Sequence, residues 1–212
     1  MAGNNICPTF REENILYNRG FTLIAGVDEA GRGALAGPVV AGAVILANRR
    51  RCGWLKDVRD SKMLPCEARE ELYEAITAEA VSFGAGIVSH IYIDDNGIVQ
   101  ATKLAMKLAI DALSLKPHAL LIDYLTLPSF NLPQKGIVDG DALCVSIACA
   151  SIVAKVTRDR LMRRLSEEHR GYGLAQHKGY GTPEHLERLN VLGPSPIHRY
   201  TFEPVSAFRS LL

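Results

Sequence analysis

Two carboxylates, Asp28 and Glu29, stand where the apolar run Phe21 to Val27 enters a glycine-rich turn, and the segment reads Gly26-Val-Asp-Glu-Ala-Gly-Arg-Gly-Ala-Leu-Ala-Gly-Pro38. An acidic pair at the end of a core strand has to be solvated, paired or bound to a cation, because a desolvated carboxylate loses several kcal/mol or takes up a proton. A divalent metal meets that demand with a single partner. Asp123 ends a second apolar run, Ala119-Leu-Leu-Ile122, so adjacent strands ending together would converge three carboxylates. Successive strand residues point to opposite faces. Asp28 and Glu29 therefore share a ligand if the backbone turns immediately after Asp28, a turn that Gly31 and Gly33 permit. Carboxylate oxygens with no His or Cys beside them suit Mg2+ or Mn2+ rather than zinc, and several carboxylates around such an ion suggest phosphoryl chemistry.

A fourth acidic position, Asp159, continues the helical stripe of Ile152 and Val156. It is open to two readings, an inward-facing carboxylate or a surface pair with Arg163 at i+4. Asp141, after Gly140 at a helix start, reads as an N-cap or first-turn residue favoured by the macrodipole. Asp60-Ser61-Lys62 and His177-Lys-Gly-Tyr-Gly-Thr182 each mix a cation with small or hydroxyl residues. Such loops suit phosphate contact, and Tyr180 between glycines suits stacking on a sugar or base; the alternatives are a solvated lysine and a packed turn tyrosine. Gly31-x-Gly33-x-x-x-Gly37 matches neither the dinucleotide fingerprint nor a P-loop.

The elements that must position these groups follow from the pattern. A short helix is expected before Gly20, then the strand Phe21 to Val27, and a second strand, Val39 to Leu46, closed by Asn48 and Arg49 to Arg51 and paired with the first as a hairpin. Pro65 opens a helix to about Ala80, and Val81 to Val88 is a strand. Asp94 is the expected N-cap of a long helix ended by Pro117. A loop with Pro128 and Pro133 leads to a second long helix, about Ala142 to Glu168, and Thr182-Pro183-Glu184 starts a last helix that Gly193-Pro194 stops. This order of elements implies an α/β sheet layer with a helical C-terminal extension.

The 212 residues, 48% hydrophobic and 22% charged, suffice for one sizeable core. The net charge of +1 is unevenly spread: Lys155 to Arg199 carries nine Lys/Arg against five Asp/Glu, a local +4 that leaves −3 elsewhere. A basic C-terminal quarter suits a polyanionic partner. Five scattered cysteines without a Cys-x-x-Cys pair exclude a disulfide framework and a zinc finger. Met1 to Gly20 is mostly polar and no apolar run is long enough for a bilayer, so a soluble, cytoplasmic protein without membrane partners is expected.

The segment Gly26 to Gly33 with Gly37-Pro38 resembles the signature of ribonuclease HII, the bacterial type 2 ribonuclease H family. Further pieces stand in the family's order: Asp60-Ser-Lys-Met-Leu64, the strand ending at Asp123, Ser146 to Asp159, His177 to Thr182, and Gly193-Pro-Ser-Pro-Ile-His-Arg199. The resemblance spans about residues 20 to 204. It implies an α/β ribonuclease H-like fold, a mixed central sheet flanked by helices, with a catalytic core over about 20–170 and a helical extension over about 171–212 that adds substrate contacts.

The same resemblance implies four carboxylates, Asp28, Glu29, Asp123 and Asp159, as catalytic and metal-binding residues around two Mg2+ or Mn2+ ions. Gly31-Arg32-Gly33 would meet a ribose 2′-hydroxyl through backbone groups, Tyr180 would stack on the neighbouring deoxyribose, and Lys62 would meet a phosphate. The implied activity, in a monomer, is hydrolysis of the RNA strand of RNA–DNA hybrids and incision of DNA duplexes 5′ of embedded ribonucleotides, giving 5′-phosphate and 3′-hydroxyl ends during replication and repair. The rivals are a non-catalytic hybrid-binding module and a related metal-dependent nuclease of the same fold. Tyr124 departs from the family by following Asp123 where glycine is usual; Cys149 replaces an alanine, and Arg170-Gly171 stands where proline is common. The tail Phe202 to Leu212, with Phe208, Leu211 and Leu212, is a candidate docking segment.

Overall fold

The computed structural model describes residues 7–48 and 52–211; Arg49 to Arg51 and Leu212, which the sequence placed at a strand end and in a docking tail, lie outside them. Helix α1 (Arg11–Tyr17) precedes strand β1 (Ile24–Ala30), which pairs antiparallel with β2 (Val39–Ile45), and α2 (Cys66–Glu79) leads to β3 (Ser82–Val88). Helices α3 (His90–Asn96) and α4 (Ile98–Asp111) follow, then β4 (Ala119–Asp123), β5 (Gln134–Ile137), α5 (Gly140–Leu143) and α6 (Val145–Glu168). Helices α7 (Leu174–His177) and α8 (Pro183–Leu192) complete the set. The sheet order is β3-β2-β1-β4-β5, antiparallel on the β2 side and parallel from β1 to β5. The expected mixed sheet flanked by helices is therefore present.

Helix α6 covers one face of β1 and β2, and α4 covers the other. Both strands are buried along almost their whole length, as strands covered on two sides must be. Close approach of α6 depends on glycine: a Cβ on Gly26 would stand 2.1 Å from the Ser146 carbonyl carbon, and one on Gly42 2.3 Å from the Ala150 oxygen. The small residues of the first half of α6, Ala148, Cys149, Ala150 and Ser151, all buried, match those gaps.

Several boundaries differ from the sequence reading. The first strand starts at Ile24, where pairing with β4 begins, and runs on to Ala30 because β2 pairs with it that far, Ala30 opposite Val40. No turn follows Asp28; the chain turns at Gly31, which has φ +94°. Gly97, at φ +80°, splits the expected long helix into α3 and α4. Ser89 rather than Asp94 caps α3, and the Asp94 carboxylate instead accepts bonds from the Tyr200 and Thr201 backbone N–H groups at 2.9 and 3.0 Å, tying down the C-terminal segment. The second long helix is divided at Cys144, where buried Glu13 of α1 accepts the Ser146 N–H at 2.8 Å and caps α6 from a distance. The edge strand β5 and the short α7 carry too little apolar periodicity to be read in advance. Phe202 and Phe208 pack with Val205 against Leu35 and Leu189, so this part of the tail is spent inside the protein.

Candidate active site

Val27 pairs with Ile122 in the parallel β1–β4 register. Asp28 and Asp123 are the next residue on each strand, so they leave the sheet side by side on one face. Glu29 departs on the opposite side of the pleat, yet its longer side chain returns an oxygen to the same place: oxygens of Asp28, Glu29 and Asp123 lie within 4.8 Å of one another. Convergence thus comes from strand register and side-chain length, not from an early turn.

Burial first, then the charges of Glu29 and Asp123, push the Asp28 carboxyl well above the ordinary carboxylate range. Asp28 is 4% exposed. Burial likewise raises Glu29 against the opposing pull of Arg32, whose Nη1 lies 3.4 Å from Glu29 Oε1. Glu29 Oε2 is buried without a hydrogen-bond partner. Burial and the charge of Asp141 raise Asp123, against the Gly140 N–H that donates to its Oδ1 at 2.7 Å. Three hard oxygen donors, crowded, desolvated and one of them orphaned, fit a divalent cation of the Mg2+ or Mn2+ class.

The carboxylates open into a cavity of about 590 Å3 whose walls also carry Gly31, Arg32, Lys62 and Tyr180, together with Ser61, Arg69, Ser151 and Lys155. Four of the substrate-contact residues proposed from the sequence, Gly31, Arg32, Lys62 and Tyr180, therefore meet here with Asp28, Glu29 and Asp123 as the anionic floor; Gly33, exposed at the same turn, is not part of the cavity wall. Asp159 is not brought into the cluster. It is buried behind the cavity wall, 2.6 Å from Lys155 Nζ and 3.8 Å from Arg69 Nη2; Arg163, its expected partner, binds Glu70 instead. Asp141, read as a first-turn residue of α5, does occupy that turn, but it is buried and its Oδ2 lies 3.3 Å from Lys62 Nζ. Burial pulls Lys62 down, and Asp141 and Asp60 outweigh it, so the ammonium is held charged.

Two buried arginines shape the turn; both stand in the motifs that carry the family resemblance, but the sequence pattern gave neither of them a role. Arg199 donates to the carbonyls of Gly31 and Arg32, each at 2.8 Å, and to that of Gly37 at 3.0 Å. Arg158 donates to those of Pro38, Ala36 and Lys178. Burial and the charge of Arg158 pull Arg199 down to about 9, still protonated at neutral pH. With their carbonyls engaged inward, the turn peptides are fixed in orientation. A Cβ on Gly31 would lie 2.0 Å from Arg158 Nε, so glycine is needed there for close approach as well as for φ. Tyr124, the departure beside Asp123, has φ +57° and is 64% exposed, a left-handed conformation that glycine would adopt without strain.

Tyr180 is held from behind by histidines. His198 Nδ1 accepts the Ser195 N–H at 2.9 Å, which leaves its Nε2–H to donate to His185 Nε2 at 3.1 Å, and His185 Nδ1–H to donate to the Tyr180 carbonyl at 3.0 Å. The relay requires both rings neutral. Burial, then the neighbouring His185, pulls His198 down to about 4 from 6.5. With the folded value below the unfolded one, the unfolded chain binds the extra proton as pH falls, so stability is lost between about pH 6.5 and pH 4 and is unaffected above it. Between pH 7 and pH 5 this costs about 2 kcal/mol. The raised carboxylates of the cavity act in the opposite direction and cancel when wild type is compared with His198→Asn. Denaturant unfolding at the two pH values is expected to show the wild-type advantage shrinking by that amount on acidification; an unchanged difference refutes the neutral relay.

The comparisons with known proteins agree with this geometry. The sequence model of one protein family, Ribonuclease HII, matches residues 25–205. A Ribonuclease HII of Dehalococcoides mccartyi is 59% identical over 205 residues, 97% of this chain and 97% of the relative, and one of Carboxydothermus hydrogenoformans is 44% identical over 97% of this chain and 87% of the relative. Among solved structures, the ribonuclease H2 of Pyrococcus horikoshii OT3 superposes with a TM-score of 0.75 at 26% identity, covering 89% of this chain and 98% of that one. The Archaeoglobus fulgidus RNase HII, solved in complex with PCNA, gives 0.71 at 27% identity over 85% and 95%. The fold is that of the ribonuclease H2 proteins.

Proposed function

The chain belongs to the ribonuclease HII family, and from that membership we propose that it hydrolyses the RNA strand of RNA–DNA hybrids and incises DNA duplexes 5′ of embedded ribonucleotides. As a ribonuclease H it is a metal-dependent hydrolase, and no helix among the described residues is long and apolar enough to cross a membrane. The observation that carries the proposal is the triad of buried Asp28 with half-buried Glu29 and Asp123, its oxygens within 4.8 Å, on the floor of a cavity with cationic walls. These three residues would hold the Mg2+ or Mn2+ ions. Asp141 is the better-placed fourth carboxylate than Asp159: it sits in the turn that donates the Gly140 N–H to Asp123, raises Asp123 by its charge and shares Lys62 with the cavity. Two ions held there would supply the Lewis acidity that makes water a nucleophile at neutral pH and steadies the leaving 3′ oxygen, giving 5′-phosphate and 3′-hydroxyl ends.

The chain's own residues account for selectivity. A 2′-hydroxyl offers a donor and an acceptor that DNA lacks, and the Gly31-Arg32-Gly33 backbone, clamped by Arg199 and bare of side chain at Gly33, can approach it closely. Tyr180 stacks on the neighbouring deoxyribose and Lys62 meets a phosphate. The segment from about residue 171 on contributes Tyr180 and Arg199 to this recognition, and the monomer would serve ribonucleotide removal in replication and repair in the cytoplasm. One experiment tests the reading: a duplex with a single ribonucleotide and an all-DNA control, each with Mg2+ or Mn2+. A single cut 5′ of the ribonucleotide, absent from the control, is expected. Binding without cutting would leave a hybrid-binding module, and equal cutting of the control would leave a broader nuclease.

A further inference from the structure

Among the described residues, three other than glycine hold a left-handed backbone, Tyr124, Asp139 and Lys178, with φ of +57°, +52° and +54°. All three adjoin the site. Tyr124 follows Asp123, Asp139 precedes the Gly140 N–H that binds Asp123, and Lys178 stands two residues before Tyr180. Such a backbone costs free energy and persists where something offsets it. At Asp139 the carbonyl accepts the Ala142 N–H at 3.0 Å and starts α5, and a short acidic side chain tolerates the conformation. At Lys178 the carbonyl is held by Arg158 Nη1 at 2.9 Å, and the ammonium folds back onto the carbonyls of Ala175 and Gln176. Tyr124 has no such return. Its N–H donates to the Ile137 carbonyl at 2.8 Å, as that of glycine would, while its side chain is 64% exposed and no hydrogen bond or ring contact among the described residues holds it. An exposed ring on strained backbone gains nothing for the folded chain alone.

Its place in the fold supplies the missing partner. Strands β1, β4 and β5 run parallel, so their carboxyl ends open on one edge, where open α/β sheets collect their ligands. Asp123 pairs with Ile137, which makes Tyr124 and Val138 the next residues on neighbouring strands, 64% and 63% exposed. They give that edge an apolar shelf beside the carboxylates, outside the cavity wall. Tyr180 lies on the other flank, its ring against Lys155 and Arg158 of α6, the helix that covers β1 and β2. A nucleic-acid strand crossing the carboxylates therefore meets an aromatic ring on each side. Within a duplex the base faces are covered by their neighbours, and the C–H faces of the sugars are the apolar surface left for a ring.

We propose that Tyr124, with Val138 beside it, is a second sugar platform, taking the nucleotide on the far side of the scissile phosphate from the one at Tyr180. The strain at Tyr124 is then offset in the complex, where the ring is covered. The inference rests on the reading of the cavity as a nuclease site and deepens it, but its test reads binding and folding and does not need cleavage.

The probe is the duplex with a single ribonucleotide, held without divalent metal so that it stays intact, and its affinity is measured by fluorescence anisotropy at a series of KCl concentrations. Tyr124→Ala should weaken binding about fivefold. The slope of log K against log salt should not change, because a neutral ring releases no counterions. Tyr124→Phe should restore the affinity, since the ring and not the hydroxyl makes the contact. Tyr124→Gly should bind as weakly as Tyr124→Ala yet melt about 2 °C above wild type, because glycine relieves the left-handed strain. A gain in stability with a loss of affinity is a pair of effects that a merely structural tyrosine would not produce. Tyr124→Ala binding as tightly as wild type overturns the platform, and so does Tyr124→Gly binding more tightly, which would mark a ring that crowds the duplex. Tyr124→Gly melting below wild type overturns the strain that singles this residue out. Failure of the nuclease reading appears separately, as a wild type that binds the duplex and does not cut it once Mg2+ or Mn2+ is added.

Discussion

Asp28→Asn should lower metal-dependent cleavage of a ribonucleotide-containing duplex by about 10³-fold or more, since metal assistance supplies several kcal/mol of transition-state stabilisation and each 1.36 kcal/mol is tenfold. The same substitution should raise the melting temperature of the metal-free protein. Asp28 is buried and is pushed up by burial and by the charges of Glu29 and Asp123, so replacing the carboxylate with an amide of the same shape removes repulsion and desolvation together. Added Mn2+ should then stabilise the variant less than wild type, because ligand-linked stabilisation scales with affinity for the folded state. The two effects have opposite signs, which separates a lost metal ligand from a damaged fold. Near-normal turnover would sink the assignment, and so would a metal-free protein that melts lower than wild type.

Gly26→Ala should be among the most damaging single methyl additions in the chain. The new Cβ would stand 2.1 Å from Ser146 C, 2.3 Å from its oxygen and 2.5 Å from Ile147 N, all backbone atoms of the 24-residue helix α6. Backbone cannot rotate out of the way as a side chain can, so α6 must move off β1. Overpacking costs about 1–3 kcal/mol and occasionally more; a clash between a central strand and the main chain of the helix packed on it belongs at or above the top of that range. Gly53→Ala is the matched control, since a Cβ there meets nothing within 4 Å, and it should stay within about 0.5 kcal/mol of wild type. Denaturant midpoints compare the two; equal midpoints would mean that the sheet and α6 are less tightly fitted than the geometry requires. Displacing α6 would also move Ser151, Lys155 and Arg158 together, so activity should fall with stability.

Much of this was legible in the chain itself, for local reasons. Apolar runs ending in Asp123 or passing into Asp28-Glu29 mark buried strands carrying carboxylates, Pro65 and Thr182-Pro183 mark helix starts, and the helical stripe of Ile152, Val156 and Asp159 marks a buried face, because each pattern is set by residues within a few positions of one another. The ordered motifs were enough to point to the family.

What the sequence could not settle depends on residues far apart. That Asp28 and Asp123 emerge side by side is a matter of strand register across 95 positions, and that Glu29 joins them despite the pleat depends on how far its side chain reaches past β4. Asp159 lies on the apolar stripe as expected, yet only the docking of α2 against α6 gives it Arg69 and turns it from the triad toward two cations, while Asp141, read as a local helix-start residue, is brought to Asp123 and Lys62. The carbonyls of Gly31 and Arg32 await Arg199, 167 or more positions away. The sequence by itself determined which chemical groups the protein has and which elements carry them; the tertiary structure alone decided which charges face one another, because Coulombic and hydrogen-bond partners are chosen by distance in space and chain separation does not limit them.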